Sequence, residues 1–156
     1  TSKLPISFNS SKNISLGNGS ICPFNSQNTG WLKEAFPLMY LPSFCSFRMT
    51  DIWRSFVAQR IAWTCGWSIL FHGSSVIQER NKHDLIKDFI DEVSGYENNF
   101  NIMNRLIKLK LKPGTKNIKY NMTLCYKELI KMKIIDKKEL KLLKYWFFDL
   151  KIVIKK

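Results

Sequence analysis

The sequence predicts an α/β fold in which a mixed N-terminal part precedes a mostly helical C-terminal subdomain. Residues 67–71, Trp-Ser-Ile-Leu-Phe, form a short apolar run between Gly66 and Gly73, which is typical of a buried strand. Elsewhere, and mainly after residue 83, apolar side chains recur at the spacing of amphipathic helices. With 156 residues, of which 45% are hydrophobic, the chain is long enough to bury one core.

The N-terminal residues predict irregular structure. Residues 1–30 are rich in Ser, Asn and Gly and contain the polar run Asn-Ser-Gln-Asn-Thr at 25–29, so loops with strand fragments are expected. Residues 31–49 are apolar and aromatic, but they include two prolines. We therefore expect irregular structure there, with a short strand near 44–47.

A helix is predicted over residues 51–65. Thr50 is a suitable N-cap, Asp51 in the first turn suits the helix dipole, and Gly66 can end the helix. At 100° per residue, one side of this helix carries mainly polar residues and the other is apolar. The apolar side comprises Ile52, Trp53, Phe56, Val57 and Trp63.

Arg60 falls in the middle of that apolar side. A guanidinium in a core must be paired or must reach out to water, because an unpaired buried charge is costly. We predict a structural ion pair between Arg60 and a buried carboxylate, with Asp88 and Asp91 as the candidates.

Further helices are predicted towards the C-terminus. One covers 84–93 and ends at Gly95, and its acidic residues Asp84, Asp88 and Asp91 form a solvated face. Residues 99–112 are helical at least in their first part, and Pro113-Gly114 is a turn signal. Residues 118–133 form the next helix.

The last predicted helix begins at Asp136 and extends to about Leu150. Asp136 and Glu139 have the spacing of a capping box. The apolar residues that face inward in this helix are Leu140, Leu143, Trp146, Phe147 and Leu150.

The positive charge is concentrated at the C-terminus. Residues 1–103 contain nine Lys/Arg and eight Asp/Glu (9 − 8 = +1), whereas residues 104–156 contain sixteen and four (16 − 4 = +12). Such a segment can attract nucleic acid, anionic membrane or other acidic partners. Most of its lysines fall on the polar faces of predicted helices, and no recognition motif accompanies them, so no specific nucleic-acid partner is expected.

The cysteines and histidines do not predict a metal centre. None of the four cysteines forms a Cys-x-x-Cys pair, and the chain has two histidines, which argues against a closed zinc site. Cys22 and Cys45 could form a disulfide in an oxidising compartment, and the sequence leaves this open. No stretch approaches the roughly 20 apolar residues of a membrane span, and the N-terminus has no signal-peptide pattern.

Three segments together resemble the STELLO glycosyltransferases. They are residues 23–29 (Pro-Phe-Asn-Ser-Gln-Asn-Thr), residues 48–60 with Asp-Ile-Trp-Arg-Ser and Ala-Gln-Arg, and residues 76–92, which begin Val-Ile-Gln-Glu-Arg-Asn-Lys-His-Asp. The tail at 145–150, Tyr-Trp-Phe-Phe-Asp-Leu, is also similar to the end of the family's domain. The order and spacing match over residues 20–150, and the Asp-Ile-Trp segment is distantly similar to plant reversibly glycosylated polypeptides.

The resemblance implies a GT-A-like nucleotide-diphospho-sugar transferase domain, held in the Golgi membrane by an N-terminal anchor and facing the lumen. It implies transfer of a sugar from a nucleotide-sugar donor to a glycan or glycoconjugate acceptor, with Mn²⁺ or Mg²⁺ bound at the donor. The alternative is a non-catalytic protein of the same fold that assembles with protein partners in the secretory pathway.

One feature of GT-A enzymes is absent from the sequence. These enzymes hold the metal and the donor diphosphate through an Asp-x-Asp type motif, and this chain contains none. We therefore expect the chain to be the C-terminal part of such a domain, with the donor half, the metal ligands and the membrane anchor outside it. Residues 1–103 would be the acceptor-side part and residues 104–156 the basic helical subdomain.

Asp51 is the predicted catalytic residue. Glycosyl transfer needs a base near the acceptor hydroxyl, and the resemblance implies a carboxylate at such a helix start. The helix amides and dipole would favour its charged form. The alternative is that Asp51 is only a first-turn acid, and both interpretations stay open.

The predicted substrate-binding residues come from all three resembling segments. Arg54 could contact substrate or pair with Asp51 one turn away. Amide side chains both donate and accept hydrogen bonds and so suit sugar hydroxyls, although in a loop they can instead bond to their own backbone. Arg80 could bind diphosphate through two hydrogen bonds. The full set is Asn25, Gln27, Asn28, Arg54, Arg80, Asn81 and His83, and we expect them to converge on one sugar-sized cleft.

Overall fold

The computed structural model describes residues 12–77, 79, 82 and 84–154. Its elements are strand β1 (Ile14–Leu16), short 3-10 helices at Lys33–Met39 and Phe47–Met49, helix α1 (Thr50–Thr64), strand β2 (Ile69–Phe71), helix α2 (Leu85–Lys108), a 3-10 turn at Thr115–Asn117, and helices α3 (Ile118–Lys131) and α4 (Glu139–Ile154). This helix-rich fold with a two-stranded sheet is compatible with the predicted α/β class.

Helix α1 lies at the centre of the fold. It contacts α2, α3 and both 3-10 helices that precede it. Trp53, Phe56 and Val57 are buried, as their spacing predicted. The polar side of the helix is buried as well, because every residue from 53 to 59 is covered.

The two ends of α1 differ from each other. At the N-terminus, Met49 occupies the cap position without a side-chain hydrogen bond, and the predicted cap Thr50 is already helical. At the C-terminus, Gly66 has a φ of +72°. The Gly66 amide donates to the Trp63 carbonyl (3.2 Å) and the Trp67 amide to the Ala62 carbonyl (2.9 Å). This is a Schellman motif, and it confirms Gly66 as the residue that ends the helix.

The two strands form a small antiparallel sheet in which Ile14 pairs with Phe71 and Leu16 with Ile69. The prediction of a buried strand at 67–71 was wrong in part, since β2 is shorter and Leu70 is 58% exposed. Among the described residues β2 pairs with β1 alone, so it is an edge strand of a small sheet rather than a central strand of a buried one. The strand expected near 44–47 is also wrong, because these residues form a turn that leads into a 3-10 helix.

Helix α2 is one continuous helix of 24 residues. The prediction of a stop at Gly95 was wrong, because this glycine is buried inside the helix. A Cβ atom placed on it would lie 2.2 Å from the Met49 sulfur, so glycine permits a close approach here rather than a helix end. Residues 103 and 104, between which the two parts were predicted to divide, both lie in this helix, and the division stays a prediction.

The acidic residues at the start of α2 have local partners. Asp84 is the N-cap, and its Oδ1 accepts from the amides of Ile86 and Lys87, each at 3.1 Å. Asp88 forms an ion pair with Arg48. The predicted solvated face is therefore correct for exposed Asp91 but not for half-buried Asp88.

Arg60 connects α1 to the C-terminal end of α2. Its Nε donates to the Leu106 carbonyl at 3.0 Å and its Nη2 to the Leu109 carbonyl at 2.7 Å. Burial lowers the pKa of the guanidinium. The role is structural, as predicted. The hydrogen-bond partners, however, are carbonyl groups at a helix C-terminus, which attracts cations, and not the predicted carboxylate of Asp88 or Asp91.

Helices α3 and α4 complete the core. The inward positions predicted for α4 are confirmed: Leu143 and Phe147 are buried, and the other three pack against the core. The buried residues of α3 are Ile118, Asn121, Met122, Cys125, Tyr126 and Leu129. All four cysteines of the chain are free.

The predicted capping box at Asp136 is only half formed. The Asp136 carboxylate accepts from the Lys138 amide at 2.7 Å. Glu139 instead turns into the core, where it is fully buried. Its carboxylate accepts from the Tyr40 hydroxyl and from the amides of Ser43 (3.0 Å) and Phe44 (2.8 Å). We call these four residues the Glu139 cluster, and it attaches α4 to the 40–44 corner.

Within the described part of the chain, no helix combines the length and the apolar character that a membrane crossing requires.

Replacing Glu139 by Gln should lower the free energy of unfolding by about 2–4 kcal/mol, because two backbone amides lose a charged acceptor in the core. Urea denaturation measures the change. Asp149→Asn on the exposed side of α4 is the matched control and should change stability by less than about 0.5 kcal/mol. Equal stability of the two variants would contradict the role of the Glu139 cluster.

Stability should fall in alkaline solution because of Cys125. Burial raises the pKa of this thiol from 9.0 to about 12, so the unfolded chain loses the proton first. The contribution of the Cys125 thiol to the free energy of unfolding is therefore fully present below pH 9.0. It is lost as pH rises towards about 12, by up to about 1.4 kcal/mol per pH unit. Cys125→Ala should flatten the loss between pH 9 and 10, whereas Cys22→Ser, at an exposed position, should not.

Candidate functional site

Residues 22–31 run along the polar side of helix α1 and cover it. Four side chains of α1 hold this segment, and their spacing of three and four residues places them on one side of the helix. They are Asp51, Arg54, Ser55 and Gln59. The polar residues that looked like a separate helix face in the sequence are therefore the attachment points of a loop.

Gln59 binds the start of the segment through both groups of its amide. Its Oε1 accepts from the Cys22 amide at 3.1 Å, and its Nε2 donates to the Cys22 carbonyl at 2.8 Å. The same Nε2 donates to the Ser55 carbonyl at 3.1 Å. One turn earlier, the Ser55 hydroxyl accepts from the Phe24 amide at 3.3 Å. Both side chains are fully buried, so these bonds satisfy polar groups that water cannot reach.

Asp51, the predicted base, is half-buried at the start of α1. Its Oδ2 accepts from the Ser26 amide at 3.1 Å. The structure thus gives this carboxylate a positioning role in the loop. Its role as a base stays a prediction.

Arg54 lies beneath the segment and is 2% exposed. Its Nη2 donates to the Ser26 hydroxyl at 2.7 Å, and its guanidinium carbon lies 5.2 Å from the Phe24 ring centre and 5.0 Å from that of Trp31. Nε has no hydrogen-bond partner. Burial lowers the pKa of Arg54, and the charge of Asp51 opposes that shift. In this conformation the side chain is covered by aromatic rings, so substrate would not reach it directly.

The tip of the segment carries the predicted amide residues. The Gln27 amide donates to Asn25 Oδ1 at 3.1 Å, and Asn25 Nδ2 donates to Gln27 Oε1 at 3.2 Å. Asn28 Nδ2 donates to the Ser75 hydroxyl at 3.2 Å. All three amide residues are exposed. Some of their amide groups form hydrogen bonds within the loop, which is the alternative that the sequence left open. The side chains are nevertheless accessible to solvent.

A cleft of about 930 Å³ opens between residues 23–35 and residues 67–74. Asn25 and Asn28 line it, whereas Asp51, Arg54 and Gln27 are not among its lining residues. The aromatic residues of the lining are Phe24, Trp31, Trp67, Phe71 and His72, and Glu34 adds a carboxylate.

Glu34, Trp31, Trp67 and His72 were missed as site residues from the sequence. Trp67 falls in the segment that was predicted as a buried strand, and no motif surrounds Glu34 or His72. Both of the latter are exposed, and His72 Nδ1 lies 2.6 Å from the Gly73 carbonyl oxygen. The signal available in the sequence was the pair Trp31 and Trp67, which precede and follow α1 in the chain. The fold brings both to one cleft.

Three predicted residues, Arg80, Asn81 and His83, lie outside the described residues. Of the three clusters expected to converge, those around Asn25 and Asp51 meet at Ser26. The Asn28–Ser75 bond places residue 75 beside the same loop. Convergence of the third cluster is untested.

A metal ligand set is not present in the described part of the chain. No group of three or more His, Cys, Asp and Glu residues there could hold an ion. The described residues therefore do not fit the Mn²⁺ or Mg²⁺ that the family resemblance implies, and no chemical step is derived through it.

The comparison with known families comes from the C-terminal two thirds of the chain. A family model described as STELLO glycosyltransferases matches residues 48–155, which include all four α-helices. Residues 23–29 precede the matched region. No curated protein matches the chain.

Replacing Gln59 by Leu should release the start of the 22–31 segment while keeping the volume of the side chain. Loss of the two Cys22 bonds should cost about 2–3 kcal/mol and should speed hydrogen exchange of the Cys22 and Phe24 amides by about tenfold or more. Exchange measured by mass spectrometry or NMR reports this. Asn101→Leu, at an exposed position on α2, is the control, and exchange unchanged in both variants would contradict the attachment.

Proposed function

The chain belongs to the STELLO family of glycosyltransferases, and from this premise we propose that its cleft binds the acceptor in the transfer of a sugar. The donor is a nucleotide sugar and the acceptor is a glycan or glycoconjugate. A helix-rich fold with a two-stranded sheet is compatible with part of a GT-A-like domain. Membrane anchorage and a position in the Golgi lumen are proposed from the family resemblance alone.

The observation that carries the proposal is the composition of the cleft. A sugar ring presents apolar C–H groups on its faces and hydroxyl groups at its edge. Trp31 and Trp67 supply apolar rings for the faces, and Asn25 and Asn28 supply amide groups that donate to and accept from hydroxyls. A volume of about 930 Å³ lies within the usual range for ligand sites and leaves room for more than one sugar unit.

Two carboxylates compete for the role of base. Glu34 lines the cleft, where a bound hydroxyl would come within reach. Asp51 lies at the start of α1 and holds the Ser26 amide, and it keeps a second oxygen for substrate. His72 is a further group in the cleft that could accept a proton. Geometry favours Glu34, and we propose it as the base with Asp51 positioning the loop that carries Asn25.

The contacts to the donor are proposed from the family resemblance. Stabilisation of the leaving diphosphate needs positive charge, and Arg80, Asn81 and His83 remain the proposed contacts, outside the described residues. The ligands of any donor metal would come mainly from elsewhere in the protein. The competing function is a non-catalytic protein of the same fold that assembles with protein partners in the secretory pathway, and an assay of sugar transfer separates it from the enzyme.

The first assay is binding. Oligosaccharides titrated into the chain should quench tryptophan fluorescence or shift NMR signals of the cleft, and Asn28→Ala and Trp31→Ala should weaken binding by about tenfold each, as loss of a hydrogen bond or of ring contact would. Asn101→Ala on α2 is the matched control and should bind like the parent chain. If no glycan of a broad panel binds to the chain, the proposal of an acceptor cleft is wrong.

The second assay is transfer, measured with a panel of nucleotide sugars on the full-length protein. Glu34→Gln should lower kcat by about 100-fold or more if Glu34 is the base. Asp51→Asn keeps an oxygen that accepts from the Ser26 amide, so it should lower kcat by less. The reverse order would assign the base to Asp51. Glycan binding without transfer in the parent protein would favour the non-catalytic function.

A further inference from the structure

Helix α2 carries a second apolar side that the described residues leave largely exposed, although its Val93 and Met103 are half-buried and Met103 packs against the core. Its core side is marked by Gly95, Ile102 and Leu106, which are buried. A different set of apolar residues runs along the outside of the helix. We call this set the outer stripe of α2, and it consists of Ile86, Phe89, Val93, Tyr96, Phe100, Met103 and Ile107.

The outer stripe has the spacing of a coiled coil. Its seven residues follow one another at intervals of three, four, three, four, three and four, so seven successive a and d positions of a heptad repeat are apolar. This period keeps one side of a helix against a partner helix over its whole length. The pattern therefore predicts a helical partner rather than a flat surface or a small ligand.

The stripe is exposed to an unusual degree for large apolar residues. Tyr96 and Phe100 are each 69% exposed, Ile86 is 74% exposed and Phe89 60%. The Phe89 and Tyr96 rings already contact each other, with centroids 5.9 Å apart, so the stripe is a continuous surface. A contiguous apolar patch of this kind marks an interaction site.

The exposed area is sufficient for a stable interface. With about 200 Å² for each aromatic side chain and somewhat less for each aliphatic one, the stripe exposes on the order of 700 Å². A standard interface buries about 800 Å² on each partner, so two stripes facing each other approach that size.

The charges of α2 make the stripe complementary to itself. Asp88 is paired with Arg48 and Arg105 with Glu128. Apart from these, residues 84–96 contain three acids and one lysine (1 − 3 = −2), and residues 97–110 contain one acid and two lysines (2 − 1 = +1). When a second copy of the helix lies antiparallel, its basic end faces the acidic end of the first, and the two helix dipoles also oppose each other favourably. A two-fold symmetric pair places both complementary contacts in the same interface.

We propose that the outer stripe of α2 is a dimer interface in which two copies of this chain pair α2 helices antiparallel. The interface lies on α2 and uses none of the cleft residues. It is therefore independent of the proposed sugar-binding function, and either proposal can fail without the other.

The mass of the full chain in solution tests the dimer. Light scattering or sedimentation equilibrium at micromolar concentrations should give twice the mass of one chain. Phe89→Asp and Phe100→Asp are made as separate variants. Each places two carboxylates in the interface, one from each copy, so each should weaken association by about 100-fold or more. Phe148→Asp is the matched control, because Phe148 is a phenylalanine that is 63% exposed on α4, and it should leave the dimer intact.

Circular dichroism should show the same helix content in all three variants, since the substituted residues are exposed. A parent chain that stays monomeric overturns the proposal. So does a dimer that survives both stripe variants, or one that Phe148→Asp weakens equally, because association would then not depend on α2.

The antiparallel arrangement has its own test. In a Cys22→Ser background, copies with Ile86→Cys mixed with copies with Lys108→Cys should cross-link on mild oxidation, because these positions lie at opposite ends of α2. Copies with Ile86→Cys alone should not cross-link to each other. The opposite result indicates a parallel pair and overturns the antiparallel arrangement.

Discussion

The structure depends on satisfying the polar side chains of one helix that is covered on every side. Helix α1 carries an apolar side that faces the core and a polar side that would normally face water. Here the 22–31 segment covers the polar side, and Gln59, Ser55, Arg54 and Asp51 bind it. Because unpaired polar groups are expensive in the interior, the helix and the segment require each other, and the position of the cleft follows from that mutual dependence.

Hydrophobic spacing was enough to predict the core sides of α1 and α4, because each buries an apolar side at the period of a helix. It failed where one residue type serves two purposes. Gly95 has the properties of a helix end, but its missing side chain makes room for Met49, and only the packing distinguishes these roles. Glu139 likewise matched a capping box, although its carboxylate is needed 95 or more residues away in sequence, by Phe44, Ser43 and Tyr40.

The candidate site was predictable only in part for a related reason. Polar motifs pointed to Asn25, Asn28 and Asp51, and the fold does bring the first two to a cleft. The apolar half of the site was not predicted, because Trp67 falls in a predicted buried strand and Trp31 in a segment that was expected to be irregular. Aromatic residues carry no local signal that separates a buried ring from one that lines a cavity, so long-range folding decides their role. The Arg60 contact with the end of α2 could not be predicted either. Every residue has a backbone carbonyl, so the sequence does not show which carbonyl groups bind a given side chain.

The Glu139 cluster also has a consequence for synthesis of the protein. Tyr40, Ser43 and Phe44 leave the ribosome long before Glu139 does, and they are joined to it across 95 to 99 positions of sequence. Such a contact cannot form until α4 has emerged, and contacts of high sequence separation slow folding. The 40–44 corner of a nascent chain therefore stays without its carboxylate until at least 95 further residues have been added. This is the interval in which the growing chain would most need protection by chaperones.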